Sequence, residues 1–186
     1  MDTSDFRNGI SIILDNDIFT IVEFQHVKPG KGGAFVRSTL RNVRNGRSVD
    51  KTFRAGERMD QAVLDRRALQ YLYNDGEEYF LMDKESFEQI GVRKEQIGTG
   101  IKYLKENMDV TVMSHKDEII GVEVPTFVEL EVTETAGSEK GDTASGGGKP
   151  ATVETGAVVT VPFFVKVGDK IKIDTRTDQY LERVKS

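Results

Sequence analysis

The sequence contains no cysteine, only two histidines and no long apolar run among its 186 residues. The absence of cysteine excludes disulfide bonds, thiolate zinc sites and a cysteine nucleophile. Neither His26 nor His115 has a histidine or cysteine at ligand spacing, so we expect no metal site. No apolar segment approaches the ~20 residues of a membrane span, and the acidic, polar first five residues are unlike a secretory signal. These absences favour a cytoplasmic protein without membrane contacts.

Catalytic motifs are also lacking. No nucleophile can be matched with a base in a recognisable arrangement, so the sequence predicts a protein that is not an enzyme. The glycine-rich residues 141–149 do not have the spacing of a phosphate loop, because Lys149 precedes Pro150 and Thr143 occupies the position of the first glycine. A flexible surface loop is the simpler interpretation of this composition.

Acidic residues are missing from one stretch of an otherwise acidic chain. The net charge is −5, yet residues 1–64 hold 10 basic and 8 acidic side chains, whereas residues 65–127 hold 8 and 13. Residues 24–49 contain no acid and six cations: Lys28, Lys31, Arg37, Arg41, Arg44 and Arg47. Because a block of one sign repels itself unless a polyanion compensates, this stretch predicts contact with nucleic-acid phosphates. The predicted phosphate contacts beside Lys31 are Lys28, Arg37, Arg41 and Arg44.

Lys31 has the most informative surroundings in the chain. It stands among Pro29, Gly30, Gly32 and Gly33, between segments typical of strands. The glycines allow positive φ and the close approach of another backbone, and the proline restricts the loop. The pattern predicts a hairpin that presents an exposed lysine toward phosphate. An ordinary glycine-rich turn is the alternative.

Short alternating segments separated by turn residues predict an all-β protein with short helices. In the first third, strands are expected at residues 10–14, 18–24, 35–43 and 48–53, with Asn45-Gly46 as a hairpin turn. Residues 35–43 alternate strictly, which puts Arg37 and Arg41 on one face and Val36 and Leu40 on the other. Next come an aromatic hairpin at 71–82, a short helix beginning at Ser86 by its capping-box spacing, a helical stripe from Ile97 to Met108, and strands at 110–113 and 119–124. After Pro125, strands are expected at residues 126–133, 157–167, 170–174 and 179–184, with a long loop at 134–149. No sequence repeat links the second and third segments.

Several motifs resemble the bacterial elongation factor P family along most of the chain. The first segment carries residues 4–9 (SDFRNG), 27–35 (VKPGKGGAF) and 51–53 (KTF). The second carries residues 71–76 (YLYNDG) and 87–89 (FEQ), and the third carries 125–130 (PTFVEL), 141–143 (GDT), 148–151 (GKPA) and 155–162 (TGAVVTVP). The motifs follow the family's order from about residue 4 to residue 185.

The resemblance implies three small β-barrel domains in an L-shaped arrangement similar to tRNA. Residues 1–64 correspond to an SH3-like (KOW-type) domain that carries the lysine loop, and residues 65–126 and 127–186 to two OB-fold domains. It also implies a translation elongation factor that binds the 70S ribosome between the P and E sites and positions peptidyl-tRNA. Such a factor stimulates peptide-bond formation and relieves stalling at consecutive prolines.

The resemblance further assigns roles to particular positions. Lys31 is expected to be modified after translation by dedicated enzymes and to reach the CCA end of peptidyl-tRNA. The sequence does not identify the modification, and no other cofactor is expected. Gly141, Asp142 and Thr143 fall on a loop near the E-site mRNA codon, and Tyr180 and Arg183 fall where the third domain contacts P-site tRNA. A monomer is expected.

A general single-stranded nucleic-acid-binding protein of OB-fold type is the alternative function. Such a protein needs aromatic stacking platforms on a basic groove. The aromatic hairpin at residues 71–82 supplies aromatic rings, but in the most acidic segment. A covalent addition on Lys31, detected as intact mass, would favour the elongation factor.

Overall fold

The computed structural model describes residues 1–137 and 147–185, and their regular structure is mostly β-strand. Two compact units emerge from the chain. One consists of residues 1–67 and 112–122, and the other of residues 68–111 and 123–186. The strands form three five-stranded sheets in the described part of the chain, which confirms the all-β class.

The first sheet is antiparallel and surrounds an aromatic core. Its strands are β1 (Ser11–Leu14), β2 (Asp17–Val27), β3 (Phe35–Asn42), β4 (Ser48–Arg54) and β5 (Asp60–Ala62), in the order β4-β3-β2-β1-β5. Phe6 and Phe53 pack edge to face at 5.4 Å in the core, and both are almost fully buried. The first sheet therefore has a hydrophobic core of its own.

The turns of the first sheet follow their sequence signals. Asp15 and Asn16 adopt positive φ values of 49° and 63° between β1 and β2, a conformation that short polar residues tolerate. Between β3 and β4, Gly46 has φ 71°, and the Asn42 carboxamide oxygen accepts the backbone N–H groups of Arg44 and Asn45. Both predicted hairpins are confirmed.

The second sheet is built from the middle of the chain. Its strands are β6 (Asp65–Asn74), β7 (Glu78–Met82), β8 (Gln89–Arg93), β9 (Asp109–His115) and β10 (Glu118–Glu123), in the order β10-β9-β6-β7-β8. The predicted aromatic hairpin is confirmed as β6 and β7, with Tyr73 and Phe80 paired in register. The short helix α1 (Lys94–Ile97) and a 3₁₀ segment (Gly98–Tyr103) follow β8.

The prediction of a helix beginning at Ser86 is wrong. The Asp83 carboxylate accepts the backbone N–H groups of Glu85 and Ser86, and the Phe87 N–H donates to the Asp83 carbonyl. These bonds close a turn between β7 and β8 in which Phe87 has φ 60°. An aspartate that caps a turn has competed successfully with the capping-box pattern three residues later.

The predicted helical stripe is confirmed only in its first half. Gly98, with φ 70°, ends α1, and the 3₁₀ segment ends at Tyr103, so Met108 lies outside any helix. Gly100 has a different role, because a Cβ there would lie 2.8 Å from Val124 Cγ2. The glycines that weaken the helix are therefore required by backbone conformation and by packing.

The third sheet repeats the strand order of the second. Its strands are β11 (Phe127–Thr135), β12 (Lys149–Val153), β13 (Val158–Val161), β14 (Lys170–Asp174) and β15 (Gln179–Arg183), in the order β13-β12-β11-β14-β15. Numbered within each sheet from its own first strand, the second sheet reads 5-4-1-2-3 from its β10 edge, and the third sheet reads 5-4-1-2-3 from its β15 edge. The sequence shows no such repeat, because strand order depends on pairing between distant segments.

The third sheet differs from the predictions in two places. Strand β12 was not predicted, and it begins at Lys149, the last residue of the predicted loop. The strand predicted at residues 157–167 is shorter, because Pro162 lacks a backbone N–H for the ladder and β13 ends at Val161. The core of this sheet also receives Tyr103 from the 3₁₀ segment, and its side chain is fully buried there. A residue that precedes the sheet by 24 positions thus belongs to its core.

Candidate nucleic-acid interface

Lys31 is exposed near the middle of a seven-residue connection between β2 and β3. The two strands stay in register up to the pair Val27 and Phe35, so the first sheet holds both ends of the connection. Gly32 has φ 105°, a conformation that only glycine adopts without strain. A Cβ built on Gly30 or Gly33 would meet no atom within 4 Å. The space beside the lysine is therefore open.

The ammonium group of Lys31 is available to a partner. No ion pair of Lys31 is formed within residues 1–137 and 147–185. Pro29 contributes the nearest side chain to Gly32, with its Cγ 3.9 Å from a Cβ built there. A free cation on an open loop gives the connection the properties that the sequence predicted for it.

Strand β3 carries two exposed arginines beside this connection. Arg37 and Arg41 lie on the solvent face, whereas Val36 and Leu40 on the opposite face are fully buried. The Arg37 guanidinium lies 5.4 Å from the centre of the Phe35 ring. The strict alternation in the sequence predicted both faces correctly.

Arg44 is held by carboxylates that the sequence pattern did not reveal. Its Nε lies 3.5 Å from Asp17 Oδ1 and its Nη2 lies 3.3 Å from Glu118 Oε1. The buried Asn42 carboxamide donates to Asp17 Oδ2 at 2.6 Å and fixes that carboxylate. Residues 24–49 contain no acid, but carboxylates from other parts of the chain lie next to Arg44 in the folded protein. Arg44 is therefore less available to phosphate than Arg37 or Arg41.

A depression of about 570 Å³ on the first sheet has mixed charge. Its lining includes Arg37 and Lys51 together with Glu23 and Asp50. Asp50 accepts a hydrogen bond from the Thr39 hydroxyl at 2.9 Å. Lys51 contacts the Phe53 ring at 5.6 Å from its centroid and lies outside the predicted site. The predicted hairpin of residues 35–43 and 48–53 could have revealed Lys51, because it brings Lys51 opposite Ser38, the neighbour of Arg37.

Tyr180 and Arg183 lie on β15 of the third sheet. Tyr180 is half-buried against the core, and burial raises the pKa of its phenol. The Arg183 guanidinium lies 5.4 Å from the centre of the half-exposed Phe164 ring, and its Nη1 lies 3.6 Å from Asp169 Oδ2. The predicted contacts Gly141, Asp142 and Thr143 lie outside the described residues.

Residues 147–149, the part of the glycine-rich stretch that the structure describes, are closely packed at Gly148 and Lys149. Lys149 is only 5% exposed, and its ammonium donates to the carbonyl of Ala136 on the other side of the stretch. A Cβ on Gly148 would lie 2.6 Å from Thr160 Cγ2 and 3.2 Å from the Val161 carbonyl oxygen. Lys149 therefore has a structural role, in contrast to Lys31.

A buried tyrosine and an aspartate next to β15 share a hydrogen bond. The Tyr103 hydroxyl donates to Asp178 Oδ1 at 2.6 Å, and Lys102 Nζ lies 2.9 Å from the same oxygen. Tyr103 and Lys102 lower the pKa of Asp178, while burial, reinforced by Asp178, raises the pKa of Tyr103. Asp178 adjoins a depression of about 400 Å³ that Tyr180 also lines.

Neither a metal-binding cluster nor a membrane-spanning helix occurs in the described residues. Within these ranges, no group of three or more histidine, aspartate or glutamate side chains could hold a metal ion. None of the helices in the described ranges is both long enough and apolar enough to cross a membrane.

Family models match the chain in three consecutive blocks. Residues 2–59 match the elongation factor P KOW-like domain, residues 64–122 the elongation factor P OB domain, and residues 128–183 the elongation factor P C-terminal domain. An elongation factor P from Pelotomaculum thermopropionicum is 58% identical over 182 residues, which cover 98% of each chain. The chain belongs to the elongation factor P family. A second member, from a Thermoanaerobacter species, is 59% identical over 180 residues, or 97% of each chain.

Membership in the elongation factor P family confirms several predictions. The fold consists of a KOW-like barrel followed by two OB-fold barrels, and the family's members are translation elongation factors rather than enzymes. A protein described as eukaryotic translation initiation factor 5A, from Methanococcus jannaschii, is similar in fold, with a TM-score of 0.51, 22% identity, and coverage of 67% of this chain and 90% of that one. A related factor from Naegleria fowleri has a TM-score of 0.53 at 18% identity over 67% of this chain and 94% of that one.

Proposed function

We propose that this elongation factor binds the ribosome between the P and E sites, positions peptidyl-tRNA and stimulates peptide-bond formation, so that stalling at consecutive prolines is relieved. The observation that carries the proposal is the exposed Lys31. It lies on an open loop without an ion pair in the described residues. Membership in a family of translation elongation factors supports the ribosome as the partner.

The proposed mechanism is positional. Proline reacts poorly because its ring restricts the geometry of attack, and a protein bound along peptidyl-tRNA can lower the entropic part of the barrier by fixing the reacting end. The chemistry stays with the ribosome. Lys28, Arg37 and Arg41 contact phosphates, which orients RNA without reading its sequence. Arg44 joins them only where RNA displaces Asp17 or Glu118 from its guanidinium.

The proposal includes a covalent extension of Lys31. A lysine ammonium is a flexible point charge, and an extended side chain reaches farther toward the CCA end of the tRNA. The open space at Gly30 and Gly33 leaves room for a modifying enzyme and for the added group. Intact-mass measurement of the native protein tests this step. Active protein whose mass equals that of the unmodified chain would contradict it.

The third barrel supplies the remaining proposed contacts. Arg183 and Tyr180 contact P-site tRNA, and Gly141, Asp142 and Thr143 lie near the E-site codon. Phe164 and Asp169 hold the Arg183 guanidinium in a defined place, which reduces the entropy lost on binding. A monomer in the bacterial cytoplasm, where ribosomes work, is the form in which we expect the factor to act.

Lys31→Ala tests the proposed function. Because Lys31 is an exposed loop residue, we expect the variant to fold normally and to lose relief of polyproline stalling in a reconstituted translation assay. Lys116→Ala is the matched control, since Lys116 is an exposed lysine in the turn between β9 and β10. Normal polyproline synthesis by the Lys31 variant would contradict the proposal.

A further inference from the structure

One exposed phenylalanine of the third sheet lies between two cations. Phe127 is the first residue of β11 and is 49% exposed. Lys172 Nζ lies 5.3 Å from its ring centre and Arg176 Cζ lies 5.8 Å from it. No other aromatic ring in the described residues has two cations at such distances. We propose that Phe127, Lys172 and Arg176 form an RNA-binding surface in which an unstacked base packs on the phenyl ring and the cations bind the adjoining phosphates.

The Arg176 guanidinium is fixed against the ring and still has free donors. The largely buried Asp174 carboxylate accepts Nε at 3.2 Å, Nη2 at 3.0 Å and the Arg176 backbone N–H at 2.9 Å. Nη1 has no partner among the described residues, and the arginine side chain is 64% exposed. A fixed guanidinium loses little entropy when it binds a phosphate, and its planar fork suits phosphate oxygens.

Lys172 is partly exposed, and its ion pair with Glu182 leaves it less available to a polyanion than Arg176. Its Nζ lies 3.6 Å from Glu182 Oε1, which is too long for a hydrogen bond, and Glu129 lies across from it in the strand register. These two carboxylates make the surface unfavourable for an acidic peptide that offers charge alone. RNA offers two groups to this surface: phosphates, which bind the cations, and a base, which stacks on the ring. Such stacking is possible with any base.

A cation over a half-exposed phenylalanine ring occurs a second time in the third barrel, in the connection between β13 and β14. Arg183, itself a proposed tRNA contact, lies over the half-exposed Phe164. In contrast, Phe87 is 69% exposed in the acidic middle segment and has no cation over its ring within the described ranges. Among the exposed phenylalanines of the described residues, cations therefore lie over the two rings of the third barrel and not over Phe87.

Phe127→Leu tests the stacking contact in the full-length protein. Leucine keeps the apolar side chain at the start of β11 but removes the aromatic face. We expect binding to 70S ribosomes that carry P-site peptidyl-tRNA to weaken about 5- to 150-fold, as for the loss of one stacked base. Phe127→Tyr keeps the ring and should restore affinity, whereas Phe87→Leu should bind like the wild type.

Wild-type affinity of Phe127→Leu would overturn the inference, and so would a loss that Phe127→Tyr fails to restore. Arg176→Gln should weaken binding and reduce the slope of log Kd against log salt by about 0.7–0.9, the value for one lost phosphate contact. An unchanged slope would contradict the contact of Arg176 with phosphate.

A cross-linking experiment identifies the partner. A photoreactive benzoylphenylalanine at position 127 should cross-link to ribosomal or transfer RNA on the ribosome. An adduct with protein alone, or no adduct, would overturn the assignment of RNA as the partner. The inference rests on the proposed binding to the ribosome, but the two can fail separately. Absence of wild-type binding to the ribosome, or full activity of Lys31→Ala, would contradict the proposed function and not the role of Phe127.

Discussion

At the scale of single residues, two lysines in glycine-rich surroundings have opposite environments. Lys31 follows Pro29-Gly30 and is exposed, whereas Lys149 follows three glycines, precedes Pro150 and is almost fully buried. Burial of Lys149 depends on Ala136, which stands 13 positions earlier and accepts its hydrogen bond. Local composition therefore predicts that a lysine lies in a turn, but distant partners decide whether it can reach another molecule.

The arginines of the acid-free stretch should respond differently to charge reversal. Arg41→Glu should weaken ribosome binding several-fold, and more at 50 mM than at 300 mM salt, because exposed charges are screened by salt. Arg44→Glu should also destabilise the fold, since it would place a third carboxylate near Asp17 and Glu118. Affinity titrations at the two salt concentrations, with thermal melts of both variants, provide the test. An equal loss of affinity at both concentrations would refute the electrostatic role of Arg41.

At the scale of elements, hairpins were the most predictable features and boundaries the least. The turn at Asp15 and Asn16 and the turn at Gly46 use residues that tolerate positive φ, so a local signal was sufficient. The helix expected at Ser86 failed because a second local signal, Asp83, lay just before it. Strand β12 was missed because the glycines before it and Pro150 within it favour a loop, although it pairs with its sequence neighbours β11 and β13.

The candidate site was predicted in the same uneven way. The alternation along β3 placed Arg37 and Arg41 on the exposed face, as observed. The partners of Arg44 could not be predicted, because Glu118 lies 74 residues away and reaches it only in the folded chain. The cations around Phe127 were missed for the same reason, since β14 follows β11 by more than 30 residues.

The close packing at the root of the glycine-rich stretch should be sensitive to one added methyl group. Gly148→Ala should destabilise the protein by about 1–3 kcal/mol, because a Cβ would contact Thr160 and the Val161 carbonyl below van der Waals distance. Gly137→Ala is the matched control, as a Cβ there meets no atom within 4 Å. Urea denaturation of both variants measures the difference, and equal midpoints would show that the packing is not tight in solution.

At the scale of the whole molecule, the second and third barrels share a strand order but differ in surface chemistry. The middle segment is the most acidic part of the chain, whereas the third sheet carries aromatic rings next to cations. A shared strand order therefore does not imply a shared partner, because function resides in side chains placed on the fold. The net charge of −5 likewise describes no individual surface of the molecule.

The link between Tyr103 and Asp178 should make stability depend on pH. Tyr103→Phe should cost about 1.5–3 kcal/mol at pH 7, the contribution of a hydrogen bond to a charged group. Because the folded state lowers the pKa of Asp178, the stabilisation is complete above the ordinary aspartate pKa and is lost as the pH falls through the lowered value. The difference in the free energy of unfolding between the wild type and Tyr103→Phe should therefore become smaller below about pH 4.

Urea midpoints between pH 3 and pH 7 provide the measurement. Tyr73→Phe is the control, because the Tyr73 hydroxyl is exposed and makes no hydrogen bond within the described residues. A gap between wild type and Tyr103→Phe that stays constant over this range would exclude Asp178 as its cause.

The contribution of Tyr103 to the third sheet sets a limit on how the chain can be cut. A fragment that starts at residue 127 follows the boundary between sheets but discards an aromatic ring from the interior of the third sheet. The excised barrel would contain a cavity of that size, which typically costs about 3–5 kcal/mol. A fragment that starts before Gly98 retains the ring together with the 3₁₀ segment that carries it. The smallest autonomous C-terminal piece of this protein is thus longer than its last sheet.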